Sequence, residues 1–124
     1  MGHYRETTAY VRVFGELVRA AEYRGLTTYQ DLAAIMGLSL AGSLMESEIG
    51  AILGEIVDEE LAAGRPLLSA VVVGMSGHPG SGFFDLARKR GRMEPGQSEG
   101  EFWASEREAV YEAWRRPWPK PVAE

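Results

Sequence analysis

Cysteine is absent from the 124 residues, which removes disulfide stapling, thiolate metal ligation and cysteine nucleophiles together. Long apolar runs are missing too. The longest, Leu67 to Val73, is far short of the roughly 20 residues of a membrane-crossing helix. The opening Met1-Gly2-His3-Tyr4-Arg5 lacks the apolar run of a signal peptide, so a cytoplasmic location with no membrane partner is expected. Histidine is scarce: apart from His3 at the start, His78 stands alone in the interior of the sequence. Positive charge is missing from one long stretch. Between Arg24 and Arg65 there is no lysine or arginine, whereas Asp31, Glu46, Glu48, Glu55, Asp58, Glu59 and Glu60 place seven negative charges there.

What is present suits a single globular domain over 1–124, with 45% hydrophobic and 25% charged residues. From Thr8 to Tyr23 the residues Tyr10, Phe14, Leu17, Val18 and Ala21 recur at helical spacing, and Gly25 is placed to end the run. Thr27 and Thr28, followed three residues later by Gln30 and Asp31, offer overlapping capping boxes for a short helix that stops at Gly37. Ser39 to Leu44 reads as a turn. A third helix follows from about Glu46 to Ala63, with the stripe Ile49, Ile52, Leu53, Ile56, Val57 and Leu61 and with Gly64 at its end. Gly50 and Gly54 lie four apart inside it, which predicts a close neighbour on that side.

Leu67 to Val73, rich in β-branched residues and bounded by Pro66 and Gly74, reads as a buried strand. Its partner is expected either near Gly82-Phe83-Phe84 or in the same strand of another subunit. The segment Gly74-Met75-Ser76-Gly77-His78-Pro79-Gly80-Ser81-Gly82 concentrates the turn chemistry of the chain. A short helix over Phe83 to Lys89, a connector over 90–97 and a last helix over 98–116 follow, the last opened by the capping box Ser98-Glu99-Gly100-Glu101. The tail at 117–124, with Trp118 framed by Pro117, Pro119 and Pro121, suits extended polyproline. The expected fold class is α+β: a mainly helical core over 8–91 with one short strand or hairpin, plus a C-terminal helix.

The order of these parts from Phe14 to Gly91 resembles the C-terminal DNA-binding domain of the methylated-DNA alkyltransferases and their alkyltransferase-like relatives. Leu26-Thr27-Thr28-Tyr29-Gln30-Asp31-Leu32-Ala33 is similar to that family's entry to a helix-turn-helix. A recognition-type helix with Ile49-Gly50-Ala51-Ile52-Leu53, a proline leading into an apolar run, a glycine-rich wing and a helix complete the likeness. The resemblance implies a winged-helix core that binds DNA. It does not carry the family's chemistry, because Pro66-Leu67-Leu68-Ser69 stands where the family has proline-cysteine-histidine-arginine. Alkyl transfer needs an activated thiolate. Ser47 stands in place of the family's arginine finger, which speaks against nucleotide flipping by that route.

Phosphates would be repelled by the acidic 25–64 segment, so DNA contact would fall to Arg65, Arg88, Lys89, Arg90 and Arg92 and to the loop beside them. The plainer reading of that basic run is a solvated helix end. His78 with Ser76, Ser81 and Asp85 has the residue types of a hydrolase, but the sequence cannot supply the geometry, and a turn histidine is the simpler account. The loop has no lysine and no P-loop pattern, although the amides of Gly80 to Phe83 could hold one anion. Glu55, Asp58, Glu59 and Glu60 read as a solvated helix face, and neither metal nor cofactor is implied. Trp103, Trp114, Trp118, Tyr10, Tyr23 and Tyr111 suit packing more than a stacking platform, with Trp118 the candidate for contact with another chain. Three functions follow for test. One is a non-catalytic interaction module using Arg65, Ser76, His78, Ser81, Arg88, Lys89, Arg90 and Arg92, its partner nucleic acid or protein. Another is a homo-oligomer joined through the 67–73 strand or the 46–63 helix. The last is a hydrolase working through His78 and a loop serine.

Overall fold

The computed structural model describes residues 4–39 and 44–115. The proline-rich tail with Trp118, His3, and positions 40–43 of the expected turn lie outside the described residues. The fold is mainly helical α+β. Its elements run α1 (Thr8–Glu22), β1 (Thr27–Thr28), α2 (Tyr29–Met36), α3 (Leu44–Ala62), a 3-10 turn (Leu68–Val71), β2 (Val72–Val73), α4 (Ser81–Lys89) and α5 (Glu99–Ala113).

Helix α1 starts where Thr7 accepts the Tyr10 amide at 3.1 Å, which pairs one of the N–H groups a helix start leaves free. Its buried face is Val13, Leu17, Ala20 and Ala21, while Tyr10, Phe14 and Val18 pack at its edge. Its C-terminus corrects the expectation for Gly25. The residue in the left-handed conformation is Arg24 at φ 54°, and Gly25 N–H reaches back to Ala20 O at 2.8 Å. A non-glycine residue bears that strain because Arg24 is held on α5 by Glu108 at 2.8 Å and lies 4.9 Å over the Tyr111 ring.

Of the two overlapping capping signals, the second supplies the N-cap: Thr28 Oγ1 accepts the Asp31 amide at 3.0 Å. Thr27, in β1 with Thr28, donates its hydroxyl to Glu16 at 2.7 Å and caps no helix. Helix α3 buries Ile49, Ile52, Leu53, Ile56 and Val57 as its stripe predicts, and Glu60 with them. Among the described residues the close neighbour expected beside Gly50 and Gly54 is not there, since a Cβ added at either would meet nothing within 4 Å.

The largest correction concerns Leu67 to Val73. The run is buried throughout, but most of it is a 3-10 turn, and only Val72–Val73 forms a strand. That strand pairs in parallel with β1, Thr27 opposite Val72 and Thr28 opposite Val73. The alternative partner near 82–84 lies inside α4. Helix α5 explains the departure: Leu67 N–H donates to Glu106 at 2.9 Å, and Ala70 O accepts from Trp103 Nε1 at 2.9 Å. Buried backbone groups need partners, and here side chains provide those a longer ladder would have given. One hydrophobic cluster draws on α1, α2, α3, the 3-10 turn, α4 and α5, with Phe83 packed between Phe84 and Phe102. Each fully buried leucine or isoleucine in it contributes on the order of 2 kcal/mol. Among the described residues no helix is long and apolar enough to cross a membrane.

Candidate binding groove

After β2 the chain makes a tight turn: Gly74 N–H donates to His78 O at 2.9 Å and Gly77 N–H to Gly74 O at 3.0 Å, with Gly77 at φ 84°. Pro79 and Gly80 then lead into α4, whose start has no side-chain cap. Tyr29, the first residue of α2, holds this loop. Its hydroxyl accepts Gly80 N–H at 3.1 Å, and a Cβ at Gly74 would rest in ordinary contact with its ring at 3.7 Å. A Cβ at Gly80 would come within 3.3 Å of the Tyr29 oxygen, so glycine there lets the backbone approach the tyrosine hydroxyl closely.

Opposite the loop stands the N-terminal half of α3, and between them is a groove of about 540 Å³. Met45, Ile49 and Leu53 form one wall and Phe83 and Leu86 the other, while Tyr29 and Gln30 close an end. Gly50, exposed on α3, widens it. The polar inventory is short. Ser69, 5% exposed, contributes to the lining, and its Oγ is buried without a hydrogen-bond partner among the described residues. Phe83 N–H is taken by Gly80 O at 3.1 Å, but the N–H groups of Ser81 and Gly82, at the groove edge, have no partner among the described residues. Glu46 is the charged residue of the lining and makes no ion pair among the described residues; no lysine or arginine lines the groove.

The basic residues singled out in the sequence go elsewhere. Arg65 clasps the buried Glu60 through two bonds of 2.9 Å and lies over Trp114. Arg88 pairs with Glu99 at 2.9 Å, and Arg90 with Asp58 at 2.8 Å. Arg92 donates twice to Glu106, at 3.0 and 2.6 Å. Hydrogen bonds that Arg65 and Arg90 donate to Glu60 and Asp58 push their pKa values up, so both remain cations whose charge is already matched. Lys89 makes no ion pair among the described residues. Of the eight side chains predicted for the contact surface, Ser81 lines the groove, together with Gly80, Gly82 and Phe83 from the predicted anion-holding turn.

The hydrolase arrangement does not assemble. His78 donates its backbone N–H to Ser76 Oγ at 3.3 Å, and its exposed ring stands edge-on to Trp103 at 5.6 Å. No hydrogen bond joins that ring to Ser76, Ser81 or Asp85 among the described residues. The acids of α3 are dispersed over separate partners: Glu55 accepts Tyr4 N–H, Asp58 holds Arg90, Glu59 holds Arg5 and Glu60 holds Arg65. Among the described residues no three histidines or carboxylates converge on a metal position.

No family model, curated protein or solved structure matches the chain. The groove is therefore read on its own geometry. Periodicity places Ile49 and Leu53 on the buried stripe of α3 and says nothing of the groove they also line. The signal in the sequence was glycine, since Gly50 of α3 and Gly74, Gly80 and Gly82 of the loop all line the cavity.

Proposed function

We propose that this chain is a non-catalytic interaction module with a winged-helix-like core, and that it seats an apolar group of a protein partner in the groove between α2, α3 and the 74–82 loop. The carrying observation is the groove itself. It has an apolar lining on two helices, it is open along glycines, and a tyrosine hydrogen bond fixes its loop wall. Such a concave apolar site with a few convergent polar groups is the usual form of a binding site. Electrostatics favours protein over nucleic acid: Arg65, Arg88, Arg90 and Arg92 are matched by carboxylates, and the groove carries Glu46 and no cation. Phosphate binding rests on cations free to neutralise it.

A photo-crosslinking amino acid at Gly50 tests the proposal, because nothing within 4 Å opposes a side chain there. A discrete crosslinked protein from position 50, and none from the exposed Arg12 position on α1, is the expected result. Equal, diffuse labelling from both positions overturns it.

One arrangement favours a nucleic-acid reading. Thr28 caps α2 and α2 packs against α3, the succession of two adjoining helices that the alkyltransferase-like resemblance implies. Fluorescence anisotropy with a labelled duplex at low and high salt tests that version; saturable binding at low salt supports it, and no binding removes it.

A further inference from the structure

The groove has an apolar lining and one charge, the carboxylate of Glu46, which is exposed and makes no ion pair among the described residues. Its volume of about 540 Å³ lies in the range that holds a whole small ligand, so an aromatic side chain fits inside it. A complementary occupant therefore has an apolar body and a cation close by. The chain itself carries such a segment. Pro117-Trp118-Pro119-Lys120-Pro121 sets a tryptophan two residues before a lysine, and prolines favour an extended form in advance, which lowers the ordering cost of docking. Charge agrees over a longer range: Arg115, Arg116 and Lys120 outnumber Glu124 in 115–124, while the 25–64 segment that supplies α2 and α3 is acidic and has no lysine or arginine.

The place where the described chain stops sets the reach. Trp114 lies under the Arg65 guanidinium, and Arg65 clasps Glu60, so the end of α5 is beside the C-terminal part of α3. At about 1.5 Å per residue, α3 runs about 10 Å from Glu60 back to Leu53 in the groove and about 21 Å back to Glu46. At about 3.1 Å per residue, a polyproline path from Trp114 covers about 12 Å to Trp118 and about 19 Å to Lys120. The indole then comes level with Leu53, and the lysine stem spans the remainder to Glu46. Gly54 and Gly50 leave the way along α3 open, with nothing among the described residues within 4 Å of an added Cβ.

We propose that the 117–121 segment docks in the groove of its own chain, with Trp118 against Leu53 and Phe83 and Lys120 at Glu46, and that it covers the groove until a partner displaces it. This rests on the groove reading above and adds what holds the site closed. A tether this short gives an effective concentration of about millimolar, which favours the chain's own segment over that of a second copy at ordinary protein concentrations.

The chain has no cysteine, so a nitroxide on Val122→Cys reports where the segment lies. The expected result is broadening of the Tyr29, Leu53 and Gly82 amides of the isotope-labelled chain. It should survive dilution into an excess of unlabelled, nitroxide-free parent and fade when Trp118→Ala is added. Broadening that dilution removes assigns the segment to a second copy and overturns the intramolecular inference; no broadening overturns it outright. Lys120→Glu should weaken the broadening and Glu46→Lys in the same chain should restore it, and a double variant as weak as the single one contradicts the pairing.

The blocked peptide acetyl-Pro-Trp-Pro-Lys-Pro-amide gives a second readout, as shifts of the same amides. With the groove covered about nine-tenths of the time, the peptide should bind full-length Trp118→Ala roughly tenfold more tightly than the parent. Equal affinity for the two removes the docked segment and leaves the groove reading standing. If the nitroxide broadens the groove amides but the crosslinker at Gly50 captures no protein even in Trp118→Ala, the docked segment stands and the partner reading falls.

Discussion

Removing the Glu106 side chain should be among the most damaging single changes in α5. Its Oε2 accepts Leu67 N–H at 2.9 Å and both the Nε and a terminal nitrogen of Arg92, and the residue is 6% exposed. In Glu106→Ala the Leu67 amide is left buried without an acceptor, at a cost of about 2 kcal/mol. Arg92 loses its counter-charge, but its side chain is 36% exposed and can turn to water, so that loss is discounted to about 1 kcal/mol or less. The sum is about 3 kcal/mol. With an unfolding entropy of about 2.1 cal/mol/K per residue over the 124 residues of the chain, the melting temperature should fall by about 10 °C. Glu106→Gln keeps a carbonyl for Leu67 and loses mainly the charge on Arg92, so it should fall by about a third as much. Thermal unfolding by circular dichroism gives the order, and amide exchange at Leu67 gives its cause, since protection there should drop in the alanine variant and persist in the glutamine one. Equal losses in the two variants, or a loss below about 1 kcal/mol for alanine, would refute the claim that side chains of α5 take over the backbone pairing of the 67–71 segment.

Arg65→Ala leaves Glu60, 1% exposed, as an uncompensated buried carboxylate and should cost about 3 kcal/mol, whereas Arg88→Ala breaks pairs whose acids are themselves exposed and should cost less than about 1 kcal/mol; comparable urea midpoints for the two would contradict this. Tyr29→Phe keeps the ring under Gly74 and Gly80 and removes the acceptor of Gly80 N–H, so about 1 kcal/mol and faster exchange at Gly80 are expected. Unchanged exchange there would mean the tyrosine hydroxyl does not hold the loop. The Glu16 carboxyl lies below its ordinary pKa, chiefly because Arg19 hydrogen-bonds to it, with Thr27 helping and burial opposing. A depressed folded-state pKa contributes stability that is present above the ordinary carboxyl range and lost as pH falls through the folded value. Glu16→Gln should therefore be less stable than the parent at neutral pH, with the gap closing in acid; a gap constant with pH would remove Glu16 from the account.

Much of the local structure was legible in the residues. The Thr28 and Ser98 caps, the glycines that close α2 and α3, and the buried stripe from Ile49 to Val57 are short-range features, fixed by helical period and by hydrogen bonds across three or four residues. The same reasoning failed at Leu67 to Val73, because an apolar run says that a segment is buried and not how its backbone is paired. There Trp103 and Glu106, more than thirty residues downstream, decided for a 3-10 turn and a minimal strand.

The functional surface divides in the same way. The sequence by itself determined that a thiolate mechanism is excluded, that the 25–64 segment is acidic, and that the 74–82 loop is a fixed glycine-rich turn, since composition and turn chemistry need no partner to be read. Only the tertiary structure decided that Arg65, Arg88, Arg90 and Arg92 are held by carboxylates from α3, the start of α5 and its interior, and that Tyr29, Gly50 and Ser81 border one groove. Those facts depend on which helix faces meet, and the faces are set by the packing of the whole core.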